Sequence, residues 1–102
     1  MDAGFDEFLH VPARLSIVAL LAPAATVEFG FLRDSLGTSD SALSKQLSAL
    51  AKAGYVTVDR QAKGAARRTS VALTPEGRRA FERHAAALEQ IVAAARTPLE
   101  EA

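Results

Sequence analysis

The sequence predicts a mainly α domain that carries one β-hairpin. Three observations carry that prediction. Apolar residues recur at helical spacing in successive stretches, and two short segments alternate apolar and polar residues on either side of a turn-prone connector. A length of 102 residues with 49% hydrophobic content suits one domain with one modest core.

Pro12 suits the first turn of a helix, where its missing N–H costs nothing. Leu15, Ile17, Val18, Leu20 and Leu21 follow, apolar nearly all round, so the first helix is expected to be buried until Pro23 stops it. Thr26-Val27-Glu28-Phe29 reads as a short extended piece. Phe29, Leu32 and Leu36 then give a short second helix that Gly37 ends. Ser39 is a good N-cap, and Leu43, Leu47 and Leu50 recur at i, i+4, i+7 before Gly54, which places a third helix at about residues 40–53. Its opposite face holds Ser41, Ser44, Lys45, Ser48 and Lys52, small and polar with two positive tips.

Tyr55 to Arg60 alternates, with Val56 and Val58 on one side, and Thr69, Val71 and Leu73 alternate likewise. The connector between them, Lys63-Gly64-Ala65-Ala66-Arg67, has basic ends that Arg68 reinforces, so the hairpin tip is basic. Thr74-Pro75-Glu76 restarts a helix with a cap, a first-turn proline and an acid near the N-terminus. Over 75–96, Phe81, Ala85, Leu88, Val92 and Ala95 follow a 4-3-4-3 spacing, the seam of a helix that pairs with another helix. A helix of that length overhangs three other small helices, so the seam is expected to form a dimer contact. Phe5, Phe8 and Leu9, an apolar cluster ahead of the first helix, are expected to add to it.

The chain holds no cysteine, which excludes disulfides and thiolate metal sites. His10 and His84 lie in different elements with no ligand-spaced partner, so they are expected to be ordinary surface or interface residues, with no metal and no cofactor. No HExxH, glycine-rich phosphate loop or GxSxG is present, and no acid–base or nucleophile constellation assembles, so no catalytic residue and no enzyme is expected. The longest apolar stretch, Leu15 to Ala25, is cut by Ser16 and Pro23 and falls short of the ~20 residues of a membrane span. Asp2, Asp6 and Glu7 stand where a secretory signal needs positive charge, so a cytoplasmic protein with no membrane partner is expected.

The formal net charge is zero, but it is segregated. Residues 1–36 carry five acids against two bases, residues 37–79 eight bases against three acids, and residues 80–102 four acids against two bases. A basic middle between acidic ends offers one face to a polyanion.

Helix, short helix, tight glycine-containing turn, polar-faced helix and basic hairpin make a helix-turn-helix followed by a wing. Residues 12–73 form the core and wing, and 75–96 the long dimer helix, within a single domain 1–102. A helix presenting short serines and two lysines enters the major groove of duplex DNA without obstruction, and an arginine-bearing hairpin beside it reaches phosphates or the minor groove. Serine is also a poorer filler of a merely solvated helix face than Glu, Lys or Ala. The expected DNA contacts are therefore Ser39, Ser41, Ser44, Lys45, Ser48 and Lys52 on the third helix, and Lys63, Arg67 and Arg68 on the wing.

The run LSKQLSALAKAGYV (43–56), followed by KGAARRTSVALTPEGRRAF (63–81), resembles short winged-helix transcriptional regulators of the MarR-like and ArsR-like group. The likeness runs from about Pro12 to Val92. It departs at Ser41-Ala42, where the group often has a glycine followed by a polar residue. The resemblance implies a homodimer whose third helix enters the major groove with the wing flanking it, a regulator of transcription and most simply a repressor on an inverted-repeat operator. The runner-up is a winged-helix protein-interaction module that touches no nucleic acid. The sequence names no operator, no target gene and no small-molecule effector.

Overall fold

Seven elements follow one another along the chain: α1 (Pro12–Leu21), β1 (Val27–Glu28), α2 (Phe29–Leu36), α3 (Asp40–Lys52), β2 (Val56–Lys63), β3 (Ala66–Leu73) and α4 (Pro75–Arg96). The computed structural model describes residues 3–63 and 66–99, with the backbone alone at 62, 63, 66 and 67. The strands form an antiparallel sheet in the order β1-β3-β2. Val27 pairs with Val71, and the hairpin register runs from Val56 opposite Leu73 to Lys63 opposite Ala66.

Local chemistry sets the boundaries. Pro12 and Pro75 occupy the first turns of α1 and α4. The Ala42 N–H donates to Ser39 Oγ at 3.2 Å, and the Gly77 N–H to Thr74 Oγ1 at 2.9 Å, so each cap satisfies a donor that its helix leaves unpaired. Gly37 (φ +61°) and Gly54 (φ +84°) end α2 and α3 in the left-handed region, where a side chain would be strained.

Both strands exceed the alternating segments 55–60 and 69–73. Residues 61–63 and 66–68 have little strand propensity of their own. The ladder carries them, because each further pair adds backbone hydrogen bonds once the valines have fixed the register.

The core gathers Ile17, Val18 and Leu21 of α1, Leu32 of α2, Leu43, Leu47 and Leu50 of α3, Val56 and Val71 of the sheet, and Ala80 of α4. The first helix is not buried all round: Pro12, Ala13, Ser16 and Ala19 are exposed. Leu9 corrects an expectation outright. It is fully buried in this core, so it holds the N-terminal segment to its own protomer and has no surface to offer a second copy. Phe8 also packs against the core, edge-on to Tyr55 at 5.8 Å and beneath the Arg14 guanidinium at 4.3 Å.

The buried face of α4 is Gly77, Ala80, His84 and Ala87, one register step away from the 4-3-4-3 seam. Small residues let the helix sit close to the sheet and to the N-terminal segment. Phe81 of the seam joins the core, and Ala85 and Leu88 are half-buried. Beyond Leu88 the helix passes clear of the body, leaving Ile91 at 50% and Val92 at 44% exposure.

Candidate nucleic-acid interface

Leu43, Leu47 and Leu50 fix the rotation of α3 about its axis. With those three in the core, Ser41, Ser44, Lys45, Ser48 and Lys52 all come out exposed on the other side. The helix is also held at both edges. Arg33 of α2 spans Asp34 at 3.0 Å and Asp40 at 2.9 Å, bridging the two helices across the Gly37 turn. The two carboxylates push the Arg33 guanidinium further into its charged form, chiefly through these hydrogen bonds. The pair is solvated and contributes little stability. Its effect is on the field, because it offsets the Asp40 carboxylate, which would otherwise repel a phosphate at the start of α3. On the other edge, Arg14 Nε donates to Gln46 Oε1 at 3.1 Å while Arg14 Nη1 donates to the Phe8 carbonyl at 3.1 Å, tying α3 to α1.

Ser39 has a double position. It is exposed, yet its Oγ already accepts the Ala42 N–H and lies 3.4 Å from Ser41 Oγ. Its main role is the cap, worth about 1 kcal/mol.

A cleft of about 370 Å³ runs between the outer face of α3 and the sheet, with Ser44 and Ser48 on one wall, Arg60 and Thr69 on the other, and Leu47 and Val58 at its floor. The strand pleat explains the second wall. Val56, Val58 and Arg60 share one face of β2, passing from buried to half-buried to exposed as the strand leaves the cover of α3. The cation stands where the apolar floor ends. Arg60 is the residue that sequence reasoning missed, since nothing in its local pattern marks it. Its signal is the period-two continuation of the valines together with the register opposite Thr69. Asp59 and Gln61 point to the other side and pair with each other at 3.0 Å.

Among the described residues, no ion pair engages Lys45, Lys52, Arg60 or Arg68. Arg68 is exposed on β3. Lys63 and Arg67 fall outside the described side chains. Arg78 is occupied elsewhere, with its Nη1 donating to the Ala22 carbonyl at 2.7 Å as a cap on α1. No group of three potential metal ligands occurs among the described residues, and no described helix is long and apolar enough to cross a membrane.

The sequence profile of the winged helix DNA-binding domain matches residues 13–92, most of the chain. The chain belongs to that family. Its helix-turn-helix is α2–α3, its wing is the β2–β3 hairpin, and α4 is the long helix that follows. The winged helix superposes on a transcriptional regulator homologue from Pyrococcus horikoshii OT3 with a TM-score of 0.84 at 22% identity, covering 90% of this chain and 91% of that one. YusO from Bacillus subtilis matches with a TM-score of 0.73 at 23% identity, over 88% of this chain and 63% of its own. The PcaV transcriptional regulator from Streptomyces coelicolor, in complex with its natural ligand, matches with a TM-score of 0.68 at 21% identity, over 91% and 67%. At these identities the likeness is one of fold. Comparison of the sequence with curated proteins gave no match. The matched family is a DNA-binding one, and the solved structures that the chain resembles are those of transcriptional regulators.

Proposed function

We propose that this winged helix is a sequence-specific regulator of transcription in the cytoplasm, a homodimer that represses from an inverted-repeat operator. The observation that carries the reading is the shared groove. The exposed polar face of α3 and the Arg60 wall of the wing border the same cleft, which supports a reading in which one sugar-phosphate strand runs along it while α3 enters the major groove. Ser41, Ser44, Lys45, Ser48 and Lys52 face the bases and their phosphates, Arg60 and Arg68 the flanking backbone, and Lys63 and Arg67 extend the wing's positive charge. PcaV is a regulator with a natural ligand. A small-molecule effector of this chain would fit the cleft of about 550 Å³ between α1 and the α2–α3 turn, lined in part by Ser16, Thr38 and Lys45, where it would press on the recognition helix.

The test is binding to duplex DNA from upstream of the chain's own gene against random duplex over a salt series. A dimer making about six phosphate contacts should give log K against log salt a slope near −5. Arg60→Ala removes one contact per protomer, so the slope should flatten by about 2, and Arg68→Ala should do the same. Slopes indifferent to both variants would remove the wing from the interface, and no duplex binding even at low salt would sink the reading.

Changes on the exposed face of α3 should act differently. Lys45→Ala and Ser44→Ala should fold like the parent and lose about 1–3 kcal/mol of discrimination between cognate and mismatched sites for each base contact removed. Competition binding measures it. If both variants keep the parent's preference, α3 is not the reading helix.

A further inference from the structure

His84 departs from the surface role expected of it, while His10 stays exposed, yet the two rings meet in one place. His84 of α4 is fully buried, and its Nε2 lies 3.3 Å from Nδ1 of His10. Its Nδ1 accepts the Asp6 backbone N–H at 2.9 Å. The Phe5 ring packs against both imidazoles, tilted to His10 and edge-on to His84, with centroids 4.8 Å from each. Asp6 in turn accepts the Leu9 N–H at 3.1 Å and the Tyr55 hydroxyl at 2.6 Å. Gly4 completes the contact, because a Cβ there would fall 2.9 Å from the Arg83 carbonyl oxygen.

The network fixes its own proton positions. A backbone N–H only donates, so His84 Nδ1 must be a bare acceptor, and a neutral His84 then carries its proton on Nε2. That proton points at His10 Nδ1, which must also be bare. A proton added to His84 Nδ1 sets two donors face to face at Asp6.

We propose that Asp6, His10 and His84 form an acid-operated clasp, which holds residues 4–10 against α4 at neutral pH and releases them when the buried His84 imidazole takes up a proton. The charged and titratable groups around the clasp come from each element packed against it. From the N-terminal segment come the Asp6 carboxylate, already occupied by Tyr55 and Leu9, and the second imidazole. From α4 comes Arg83, whose backbone meets Gly4 and whose charge acts on Tyr55, opposing its upward shift. From the junction after α3 comes Tyr55, whose hydroxyl is pushed up to about 12, first by burial and then by its bond to Asp6, and so stays a donor. Glu76 faces Tyr55 from the start of α4 and adds to that shift. Burial, then the neighbouring His10, lowers the His84 pKa, and Asp6 opposes them. A histidine held below its ordinary value takes up a proton on release. The stability it lends is therefore complete above about pH 6.5 and falls as the medium is acidified. Release also frees Tyr55 at the end of the recognition helix, which links the clasp to α3.

Hydrogen exchange of the full chain between pH 8 and pH 5 tests this. Protection at the Asp6 and Leu9 amides should fall about tenfold per pH unit below about pH 6.5, while the Val71 amide in β3 keeps its protection. In the double variant His10→Gln/His84→Gln, each glutamine offers a carbonyl and an N–H without titrating, so protection should persist to pH 5. Should that variant fail to fold, nitrogen correlation spectra of the parent's imidazoles decide, with the His84 proton expected on Nε2 at pH 8. Undiminished protection in the parent at pH 5, release of a folded double variant at the parent's midpoint, or a proton on His84 Nδ1 at pH 8 would each overturn the clasp.

Discussion

Gly77→Ala should leave little folded protein at physiological temperature. Gly77 lies inside α4 with ordinary helical geometry, so its conformational freedom is not what the site needs. The need is for space. A Cβ at residue 77 would land on the Tyr55 carbonyl group, 2.9 Å from both the Tyr55 carbonyl carbon and its Cα. Neither side of that contact yields easily. The Thr74 N–H donates to the Tyr55 oxygen at 3.0 Å, Thr74 Oγ1 donates to the Gly54 carbonyl at 2.6 Å, and the capped first turn of α4 is thereby pinned to the end of α3. Helix propensity alone would favour alanine by about 1 kcal/mol. Overpacking a contact between two backbones should outweigh that and leave a net loss of roughly 3 kcal/mol or more, a large share of the 5–15 kcal/mol that holds a typical domain together. Thermal unfolding followed by circular dichroism measures it, at about 4–8 °C per kcal/mol for a domain near this size. A Gly77→Ala protein that melts with the parent would show that α4 shifts on the sheet at little cost.

Val92→Glu should give a monomer that folds normally and binds operator DNA far more weakly. In the isolated protomer Val92 is 44% exposed, with Ile91 at 50%, on the part of α4 that overhangs the body. A carboxylate there costs the monomer little. Across a two-fold axis the same change sets two like charges into an apolar contact. Separating the protomers should also remove the gain from binding two half-sites at once, a factor of about 10²–10⁴ in affinity. Sedimentation velocity gives the first result and the salt-controlled binding assay the second. A folded Val92→Glu protein that still sediments as a dimer would place the interface away from the α4 overhang.

The sequence by itself determined the elements. Proline at the first helical turn, Ser39 and Thr74 as caps, Gly37 and Gly54 as stops, and the leucine spacing of α3 are local signals read by local physics: which N–H groups need an acceptor, which φ a residue tolerates, and which face of a helix is apolar. For the same reason the exposed face of α3 was legible, since burying Leu43, Leu47 and Leu50 leaves the serines and lysines only one direction to point. What the sequence could not place were the residues whose surroundings come from distant segments. Arg60 becomes one wall of a groove because β2 pairs with β3 and leaves the cover of α3 at that residue. Leu9 reads as a spare apolar residue ahead of a helix, yet it drops into the core because the N-terminal segment folds back over α1 and α4. The register of α4 moved for a related reason. A 4-3-4-3 spacing marks an apolar stripe but not its partner, and close packing on the sheet selects the neighbouring stripe of Gly77, Ala80, His84 and Ala87. The two histidines, separated by 74 positions, show the limit most sharply. Nothing beside either one in the chain suggests a contact, and only the docking of residues 4–10 onto α4 brings their rings within hydrogen-bond distance.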